Sequence, residues 1–256
     1  MSSIPKLLKL KDYITLIGTT LGIVAIICAV IGTRFFVSLG FFLVSITLGT
    51  DLLDGYIARK TGTVNKFGIE LDSLSDSLTF GIAPSILIYQ GFRSGTIYDY
   101  ILIIGCVCFS LCAILRLARF NVITEERPGY IGLPTPLSCI MITVFFYANH
   151  FYALGLGGLD YPFPYLSYYL LPIILVLIGW FNITRFIEFK KKGKAVYIIV
   201  SFLTPLVPIL GIVGLLYPNY IVCMIISVVF LISFIILNIY VLTGFFNKTS
   251  KNEKKE

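Results

Sequence analysis

Four aspartates lie close together in a strongly apolar chain, within the segment DLLDGYIARKTGTVNKFGIELDSLSD at residues 51–76. Asp51 and Asp54 are three residues apart, a spacing that places them on one face of a helix. Asp72 and Asp76 are four residues apart and share a helix face in the same way. A short basic connection joins the two stretches, so two antiparallel helices can bring the carboxylate pairs face to face.

Small residues accompany both carboxylate pairs. Gly55 and Ala58 share the helical stripe of the first pair, and Gly68 lies one turn before the second pair. Because Gly55 and Ala58 have almost no side chain, they leave room for a ligand against the backbone. The segment therefore combines four carboxylates with space for a bound molecule.

The carboxylates predict a metal site. Four converging carboxylates repel one another and stay ionised together only when cations lie between them. Hard divalent cations such as Mg²⁺ prefer oxygen ligands, and no His or Cys cluster in the sequence suits a softer metal. Two such ions about 4 Å apart polarise phosphoryl oxygens and neutralise a leaving phosphate. The aspartates therefore indicate phosphoryl-group chemistry.

Two other interpretations of the aspartates remain open from spacing alone. The carboxylates could belong to a structural ion-pair cluster, in which Arg59 pairs with Asp51 or Asp54. Lys66 could pair with Asp72 in the same cluster. Alternatively, the carboxylates could bind Na⁺ or H⁺ in an ion-coupled transporter. Transport fits the positions less well, because transporter sites favour the bilayer midplane and these aspartates lie at the ends of apolar runs.

The composition indicates that the chain is embedded in a membrane. Hydrophobic residues make up 57% of the 256 residues, charged residues make up 13%, and the mean hydropathy is +0.94. These values lie outside the range of soluble globular domains. We expect an all-α integral membrane protein with a bundle of about eight transmembrane helices, because eight apolar runs reach the necessary length of about 20 residues. The predicted spans are 13–32, 35–57, 73–92, 98–118, 135–155, 164–182, 195–217 and 220–244.

The positions of the basic residues predict an orientation in the membrane. If both termini lie on one side, 18 of the 20 Lys and Arg residues lie on that side, and only Arg34 and Arg93 lie on the other. Connections rich in Lys and Arg face the cytoplasm. We therefore expect a multi-pass protein of the cell membrane whose termini and aspartate segment are cytoplasmic.

The net charge of +7 is spread over five short segments next to the spans, which suits anionic lipid headgroups and argues against a nucleic-acid partner.

The sequence predicts four successive parts of the chain. Residues 1–12 form an amphipathic juxtamembrane segment, 13–194 a catalytic core of six helices, 195–245 two C-terminal spans and 246–256 a cytoplasmic tail. The last span is apolar on every side, so we expect it to contact lipid or a second subunit.

The aspartate segment resembles the signature of the CDP-alcohol phosphotransferase family, D-x-x-D-G-x-x-A-R-x8-G-x-x-x-D-x-x-x-D. The eight fixed positions are matched without an insertion by Asp51, Asp54, Gly55, Ala58, Arg59, Gly68, Asp72 and Asp76. The resemblance implies that the hydroxyl of a second substrate attacks a CDP-activated lipid and releases CMP. It implies two divalent ions per active site, Mg²⁺ or Mn²⁺, on the pyrophosphate. Many members of the family are dimers, so a homodimer is expected.

The resemblance also implies a role for each matched residue. Asp51, Asp54 and Asp72 would be the main metal ligands. Asp76 would be a further ligand or the base that deprotonates the incoming hydroxyl. The others would bind the CDP-lipid: Gly55, Ala58 and Gly68 would clear space for the cytidine, and Arg59 would help to hold the nucleotide phosphates.

Three further stretches are similar to the phosphatidylserine synthase branch of this family. They are LRLARFN at 115–121, GLPTP at 132–136 and NITRFIEFK at 182–190, so the resemblance covers roughly residues 40–195. It implies a CDP-diacylglycerol-type lipid as donor and L-serine as acceptor. One departure from the branch is Gly18, which stands where the branch usually has Asn, and it removes a polar contact that the first span would otherwise offer.

A serine acceptor needs a partner for its carboxylate. Arg116, Arg119 and Arg185 all lie at predicted cytoplasmic helix ends, on the side of the aspartates, and are candidates for this role. Each could instead anchor the protein to lipid headgroups. A glycerol phosphate acceptor would also require arginines, so that acceptor and an inositol-type alcohol remain alternatives.

Overall fold

The computed structural model of the chain describes residues 4–61, 65–122, 130–189, 205–213, 216 and 218–252. The helices are α1 (Ile4–Leu7), α2 (Leu10–Ile31), α3 (Arg34–Thr61), α4 (Lys66–Asp76), a π-helical segment (Ser77–Ile82), α5 (Ala83–Phe92), α6 (Tyr98–Val122), α7 (Thr135–Gly157), α8 (Tyr165–Ile183), α9 (205–213) and α10 (Tyr220–Asn252). Two short strands, β1 (Tyr130–Ile131) and β2 (Glu188–Phe189), pair antiparallel. The described part is therefore predominantly helical, as expected, and the strand pair is a feature that the sequence analysis missed.

Within the described part of the chain, six helices are long and apolar enough to cross a membrane, and they coincide with six of the eight predicted spans. They are Leu10–Ile31, Arg34–Ile57, Tyr98–Val122, Thr135–Gly157, Tyr165–Ile183 and Tyr220–Gly244. The span predicted at 73–92 is instead built from the end of α4, the π-helical segment and α5. The span predicted at 195–217 lies mostly outside the described residues, so the count of eight stays a prediction. The chain is a multi-pass membrane protein.

Helices lie at both ends of the described part of the chain. Helix α1 has only four residues, and α2 begins at Leu10 with Lys11 and Asp12 buried within it, so the amphipathic segment at 1–12 is not confirmed. Helix α10 continues to Asn252, into the predicted tail. It can do so because neither proline nor glycine interrupts residues 245–252.

Helix α7 forms the centre of the bundle and is buried along most of its length. Helix α10 packs along α7, α2 packs along α3, and α6 packs along α8. Aromatic rings surround α7: Phe146 stacks on Phe41 with ring centroids 4.3 Å apart, and Tyr147 stacks on Phe230. The Tyr147 hydroxyl also donates a hydrogen bond of 2.9 Å to the Ser38 carbonyl. Because lipid is as apolar as these rings, close packing and hydrogen bonds stabilise the bundle more than hydrophobic exclusion does.

Glycines bring α6 and α8 into backbone contact. A Cβ atom at Gly105 would lie 3.2 Å from the Cα of Pro172, and one at Gly179 would lie 3.2 Å from the Cα of Phe109. Small residues at helix crossings are typical of membrane bundles. These contacts follow one another in the same order along both helices, so α6 and α8 run in the same direction.

The π-helical segment interrupts the helix that carries Asp72 and Asp76. The Ala83 amide donates to the Leu78 carbonyl, five residues earlier, which is the wide turn of a π-helix. The Gly81 carbonyl accepts hydrogen bonds from the hydroxyls of Ser85 at 2.9 Å and Ser110 at 3.2 Å. Side-chain hydroxyls thus provide donors to the backbone where the regular helical pattern changes.

Candidate active site

Asp51, Asp72 and Asp76 form an aspartate cluster. Each offers a carboxylate oxygen, and these three oxygens lie within 4.8 Å of one another. Asp51 lies on α3, and the other two lie on α4. The structure therefore brings together carboxylates from the two predicted helix faces.

Asp54 lies beside the aspartate cluster and has its own hydrogen-bond partner. Its buried carboxylate accepts a bond of 2.8 Å from the Thr15 hydroxyl of α2. All four aspartates line one open pocket between α2, α3 and α4. The rest of its wall is rich in hydroxyl groups and consists of Thr15, Gly18, Thr47, Thr50, Ser75, Thr79 and Phe80.

The electrostatics of the pocket favour a bound cation. Burial raises the pKa of the Asp72 carboxyl, the positive charge of Lys11 opposes this shift, and the Asp12 carboxylate adds to it. Carboxylates at this separation also disfavour one another's charge. A set of oxygen ligands from three or four carboxylates fits a hard divalent ion, which would remove that repulsion. The residues present therefore fit a divalent-metal site.

Lys11 and Asp12 form a buried ion pair next to this pocket. The Lys11 ammonium lies 3.1 Å from Asp12 Oδ1, and the two side chains are only 8% and 0% exposed. Asp12 Oδ2 also accepts a hydrogen bond of 2.7 Å from the Lys9 amide. This pair was not predicted from the sequence, because both residues were assigned to the amphipathic juxtamembrane segment at 1–12. The available signal was the charged pair at the head of an apolar run, with Thr15 one helical turn after Asp12.

Gly68 lies where α4 meets this ion pair. A Cβ atom there would lie 2.5 Å from Lys11 Nζ and 2.6 Å from Asp12 Oδ1. Asn65 caps α4, because its side-chain oxygen accepts a bond of 2.7 Å from the Gly68 amide. The Asn65 side chain also donates to the Leu7 carbonyl at 3.0 Å. Glycine at this position therefore lets the start of α4 approach α2 closely, a packing role that the sequence analysis did not anticipate.

The other residues predicted to bind the CDP-lipid lie on α3. Gly55 is half-buried and directly follows Asp54. Ala58 and Arg59 are also part of α3, but their side chains lie outside the described part of the structure. The roles of all three residues stay predictions.

Gly18 faces a threonine of the neighbouring helix. A Cβ atom at Gly18 would lie 2.6 Å from the hydroxyl oxygen of Thr50 on α3. That hydroxyl donates a bond of 2.9 Å to the Thr47 carbonyl. Thr50 therefore occupies space that an asparagine at position 18 would need, and α3 supplies a polar group on this side of the pocket.

Arg116 is a predicted serine-binding residue that lies near the aspartates. It is 8% exposed and donates a hydrogen bond of 2.8 Å from Nη1 to the Thr135 hydroxyl at the start of α7. Its positive charge also acts favourably on the Asp76 carboxylate. Arg116 thus binds the start of α7 and also acts electrostatically on the aspartate cluster.

Arg119 makes a different set of contacts. Its guanidinium donates to the carbonyl of Ile183 at 2.7 Å, of Ile131 at 3.1 Å and of Asn182 at 3.4 Å. These bonds join the end of α6 to β1 and to the end of α8. Arg185 follows α8 and is exposed. The structure therefore assigns Arg119 a structural role at the junction, besides the role predicted for it.

The three stretches that are similar to the phosphatidylserine synthase branch, at 115–121, 132–136 and 182–190, meet at this junction between the ends of α6 and α8. The Gly132 amide donates to the Ile187 carbonyl at 3.0 Å, and the Leu133 amide donates to the Phe181 carbonyl at 2.8 Å. Gly132 has a φ of +77° and lies against the Asn182 carbonyl. A residue with a Cβ atom is disfavoured there both by conformation and by the lack of space.

The junction is also connected to α4. Asn121, at the end of α6, accepts a bond of 3.0 Å from the Ser73 hydroxyl and donates one of 3.1 Å to the Glu70 carboxylate. Ser73 directly follows Asp72. The hydrogen bonds of Asn121 therefore fix the distance between the more distant motifs and the aspartate cluster, a role that the sequence analysis missed.

A helical membrane protein with clustered carboxylates and a buried arginine beside them is suited to metal-dependent phosphoryl transfer. The chain belongs to the CDP-alcohol phosphatidyltransferase family, whose sequence model matches residues 8–181. Enzymes of this family generally depend on divalent metals, in agreement with the aspartate cluster. The chain is therefore an enzyme, and the transporter interpretation is excluded.

Several relatives of known activity are similar to the chain. The CDP-diacylglycerol–serine O-phosphatidyltransferase of Methanocaldococcus jannaschii is 33% identical over 212 residues, which cover 83% of this chain and 89% of that protein. The archaetidylserine synthase of Methanothermobacter thermautotrophicus is 36% identical over 152 residues, or 59% and 62% of the two chains. The CDP-diacylglycerol–serine O-phosphatidyltransferase of Bacillus subtilis is 40% identical over 115 residues, or 43% and 63%.

Proposed function

We propose that the chain transfers a phosphatidyl-type group from a CDP-activated lipid to the hydroxyl of L-serine, producing a phosphatidylserine-type lipid and CMP. The observation that carries this proposal is the aspartate cluster, which lies in a chain whose relatives are named for serine as the acceptor. One of these relatives is covered over 89% of its length.

The chemistry involves one bond formed and one bond broken. The serine hydroxyl oxygen bonds to the phosphorus attached to the lipid, and the bond from that phosphorus to the oxygen of CMP breaks. Asp76 accepts the hydroxyl proton, a contribution of about 10²–10⁴-fold for a well-placed base. We propose that Asp51, Asp54, Asp72 and Asp76 would hold two divalent ions, Mg²⁺ or Mn²⁺. Bound there, the ions would polarise the phosphoryl oxygens and neutralise the leaving phosphate.

The donor nucleotide would bind along α3 and the start of α4, within a catalytic core at residues 13–194. Gly55, Ala58 and Gly68 would leave room for the cytidine, and Arg59 would hold its phosphates by bidentate contacts. The half-buried position of Gly55 supports this placement. The space beside Gly68 is occupied by Lys11 and Asp12 of α2, so Gly68 would act there by letting α4 approach α2 closely.

The acceptor would bind on the other side of the aspartate cluster. Arg116 would pair with the serine carboxylate, which its burial and its proximity to Asp76 support. Arg119 and Arg185 were predicted for the same role. Because the Nη atoms of Arg119 bind backbone carbonyls, we propose that Arg119 contributes by holding the acceptor side in place. Arg185 would attract the acceptor from its exposed position.

The decisive experiment is CMP release by the purified protein with a panel of acceptors. The panel consists of L-serine, glycerol 3-phosphate and inositol, each assayed with a diacyl and a dialkyl CDP-lipid. We expect CMP release with serine and little with the other two. Faster release with glycerol phosphate or inositol would replace serine by that acceptor while leaving the family chemistry intact. The two donors distinguish ester-linked from ether-linked tails.

We also propose that the active site and both termini face the cytoplasm. The excess of Lys and Arg in the connections on that side supports this orientation. It can be tested in intact cells with a thiol reagent that does not cross membranes. A cysteine in place of Lys251 should be protected, and one in place of Gly95 should react. The opposite pattern would reverse the orientation.

A further inference from the structure

Asn182 is a buried polar residue in the last turn of α8. It is 0% exposed, and neither Nδ2 nor Oδ1 of its amide has a hydrogen-bond partner within the described part of the chain. A side-chain amide can donate two hydrogen bonds and accept two. Buried polar groups that leave this capacity unused are rare in native proteins and destabilise the fold. The amide therefore has the capacity to bind a ligand.

The packing of α8 on α6 places Asn182 next to Arg116. Gly179 lies against Phe109 and Cys112 of α6. Asn182 follows Gly179 by three residues, so it lies on the same face of α8, one turn further on. Arg116 follows Cys112 by four residues, one turn further along α6. Because the two helices run in the same direction, Asn182 and Arg116 occupy the same level of the bundle.

Hydrogen bonds around Asn182 support this position. Its own carbonyl accepts from Arg119, one turn after Arg116. The adjacent Phe181 carbonyl accepts from the Leu133 amide, two residues before Thr135. Thr135 is the hydroxyl partner of Arg116. Arg116, Thr135 and Asn182 therefore come together from three helices.

We propose that Asn182 binds the amino-acid head of the acceptor: Oδ1 accepts a hydrogen bond from its ammonium group, Nδ2 donates one to its carboxylate, and Arg116 balances the carboxylate charge. This inference rests on the proposed transfer to serine and adds the residue that recognises the zwitterion. An amide suits that task because it provides a donor and an acceptor on one rigid group without a net charge.

The arrangement discriminates between acceptors. Glycerol phosphate carries no ammonium group and would leave the Asn182 oxygen unpaired. Inositol carries no charge and would leave the buried guanidinium without an anionic partner from the substrate. Sites that hydrogen-bond a substrate group reject analogues that lack it, because the polar atoms of the protein then stay buried and unpaired.

The test compares Asn182→Leu with the wild-type protein. Leucine has the same branched arrangement of four side-chain heavy atoms as asparagine, is larger, and needs no hydrogen bond, so a merely structural amide without partners can be replaced at little loss of stability. We expect the melting temperature to stay the same or rise, while the KM for serine rises by about tenfold or more. The KM for the CDP-lipid should stay within about twofold. Asn182→Ser provides a second variant that is smaller and still polar, with the same expected direction.

Asn238→Leu is the matched control. Asn238 lies on α10, and its amide donates 2.8 Å to the Phe234 carbonyl, so this variant should leave the KM for serine unchanged. An unchanged KM for serine in both Asn182 variants would overturn the proposal, and so would an equal change in both substrates' KM values. Serine-dependent CMP release by the wild-type protein tests the proposed function separately. A wild-type protein that prefers another acceptor would refute the proposed function, whatever the variants do.

Discussion

The four aspartates of the pocket differ in their surroundings although their sequence motif treats them alike. Three belong to the aspartate cluster, and Asp54 is held by Thr15. We expect Asp51→Asn, Asp54→Asn and Asp72→Asn each to remove most of the activity, because each removes a charged metal ligand. Mg²⁺ or Mn²⁺ should be required, and CMP release in excess chelator measures this requirement.

Asp160→Asn, on the exposed loop after α7, is the matched control and should keep its activity.

Thr15→Val should weaken the apparent metal affinity by about 10–100-fold, as expected for a residue that orients a ligand. Full turnover of the wild-type protein in chelator would contradict the metal assignment.

Asp76 should behave differently from the other aspartates if it accepts the proton of the serine hydroxyl. Asp76→Asn keeps the shape of the side chain but cannot accept that proton, so turnover should be abolished while binding of the CDP-lipid largely survives. Binding can be measured by the thermal shift that the CDP-lipid produces. Near-normal turnover of this variant would refute the role of Asp76 as base.

The ion pair of Lys11 and Asp12 should contribute to stability. Lys11→Met leaves the fully buried Asp12 carboxylate without its cation, and breaking a buried pair in this way typically costs about 3–5 kcal/mol. The double variant Lys11→Met/Asp12→Leu should recover part of this loss, because it leaves no unpaired charge. Thermal melting in detergent measures both variants. Equal melting temperatures for the single variant and the wild-type protein would show that the pair is not buried.

Residue spacing revealed the aspartates, but contacts between distant parts of the chain could not be predicted from it. Thr15 and Asp54 are 39 residues apart, and Ser73 and Asn121 are 48 apart, so each contact depends on how the helices pair. Arg119 illustrates the same limit. An arginine at a helix end has the same sequence signature whether it faces a ligand or the carbonyls of a neighbouring segment.

At the scale of elements, the loop between β1 and α7 depends on Gly132. Gly132 and Gly95 have similar φ angles of +77° and +72°, but only Gly132 lies against another group, the Asn182 carbonyl. Gly95→Ala should cost about 1–2 kcal/mol from its conformation alone. Gly132→Ala should cost more and should also reduce serine-dependent activity, because it displaces the end of α8. Melting temperatures and serine KM values of the two variants test this, and equal effects would contradict it.

The apolar runs predicted most elements because a membrane span needs about 20 residues of consistent hydropathy. The interruption at Ser77–Ile82 could not be predicted in this way. A π turn needs no distinctive composition, and SLTFGI is as apolar as the helix around it. The two-residue strands were missed because they are shorter than any detectable alternation.

At the scale of the whole molecule, the homodimer stays a prediction, and the exposed side of α10 is the surface on which we expect it to form. Ile221, Ile225 and Ile239 are all more than half exposed in the single chain, and such a surface is covered by lipid or by a second subunit. We expect a protein mass of twice 28.6 kDa in mild detergent and in lipid discs, measured by light scattering. A monomer under both conditions would contradict the homodimer.

The π-helical segment links the chemistry at one end of the bundle to the packing at the other. A π turn contains one residue more than the α turn that it replaces, and one residue corresponds to about 100° of rotation around a helix axis. The segment therefore rotates the residues that follow it around the helix axis relative to those that precede it. Asp72 and Asp76, before the segment, line the pocket, and Leu87 and Ile88, after it, are buried in the bundle. In an unbroken helix the residues after the segment would lie about 100° away from their present positions around the helix axis, and the contact of Leu87 with Gly40 of α3 would be lost.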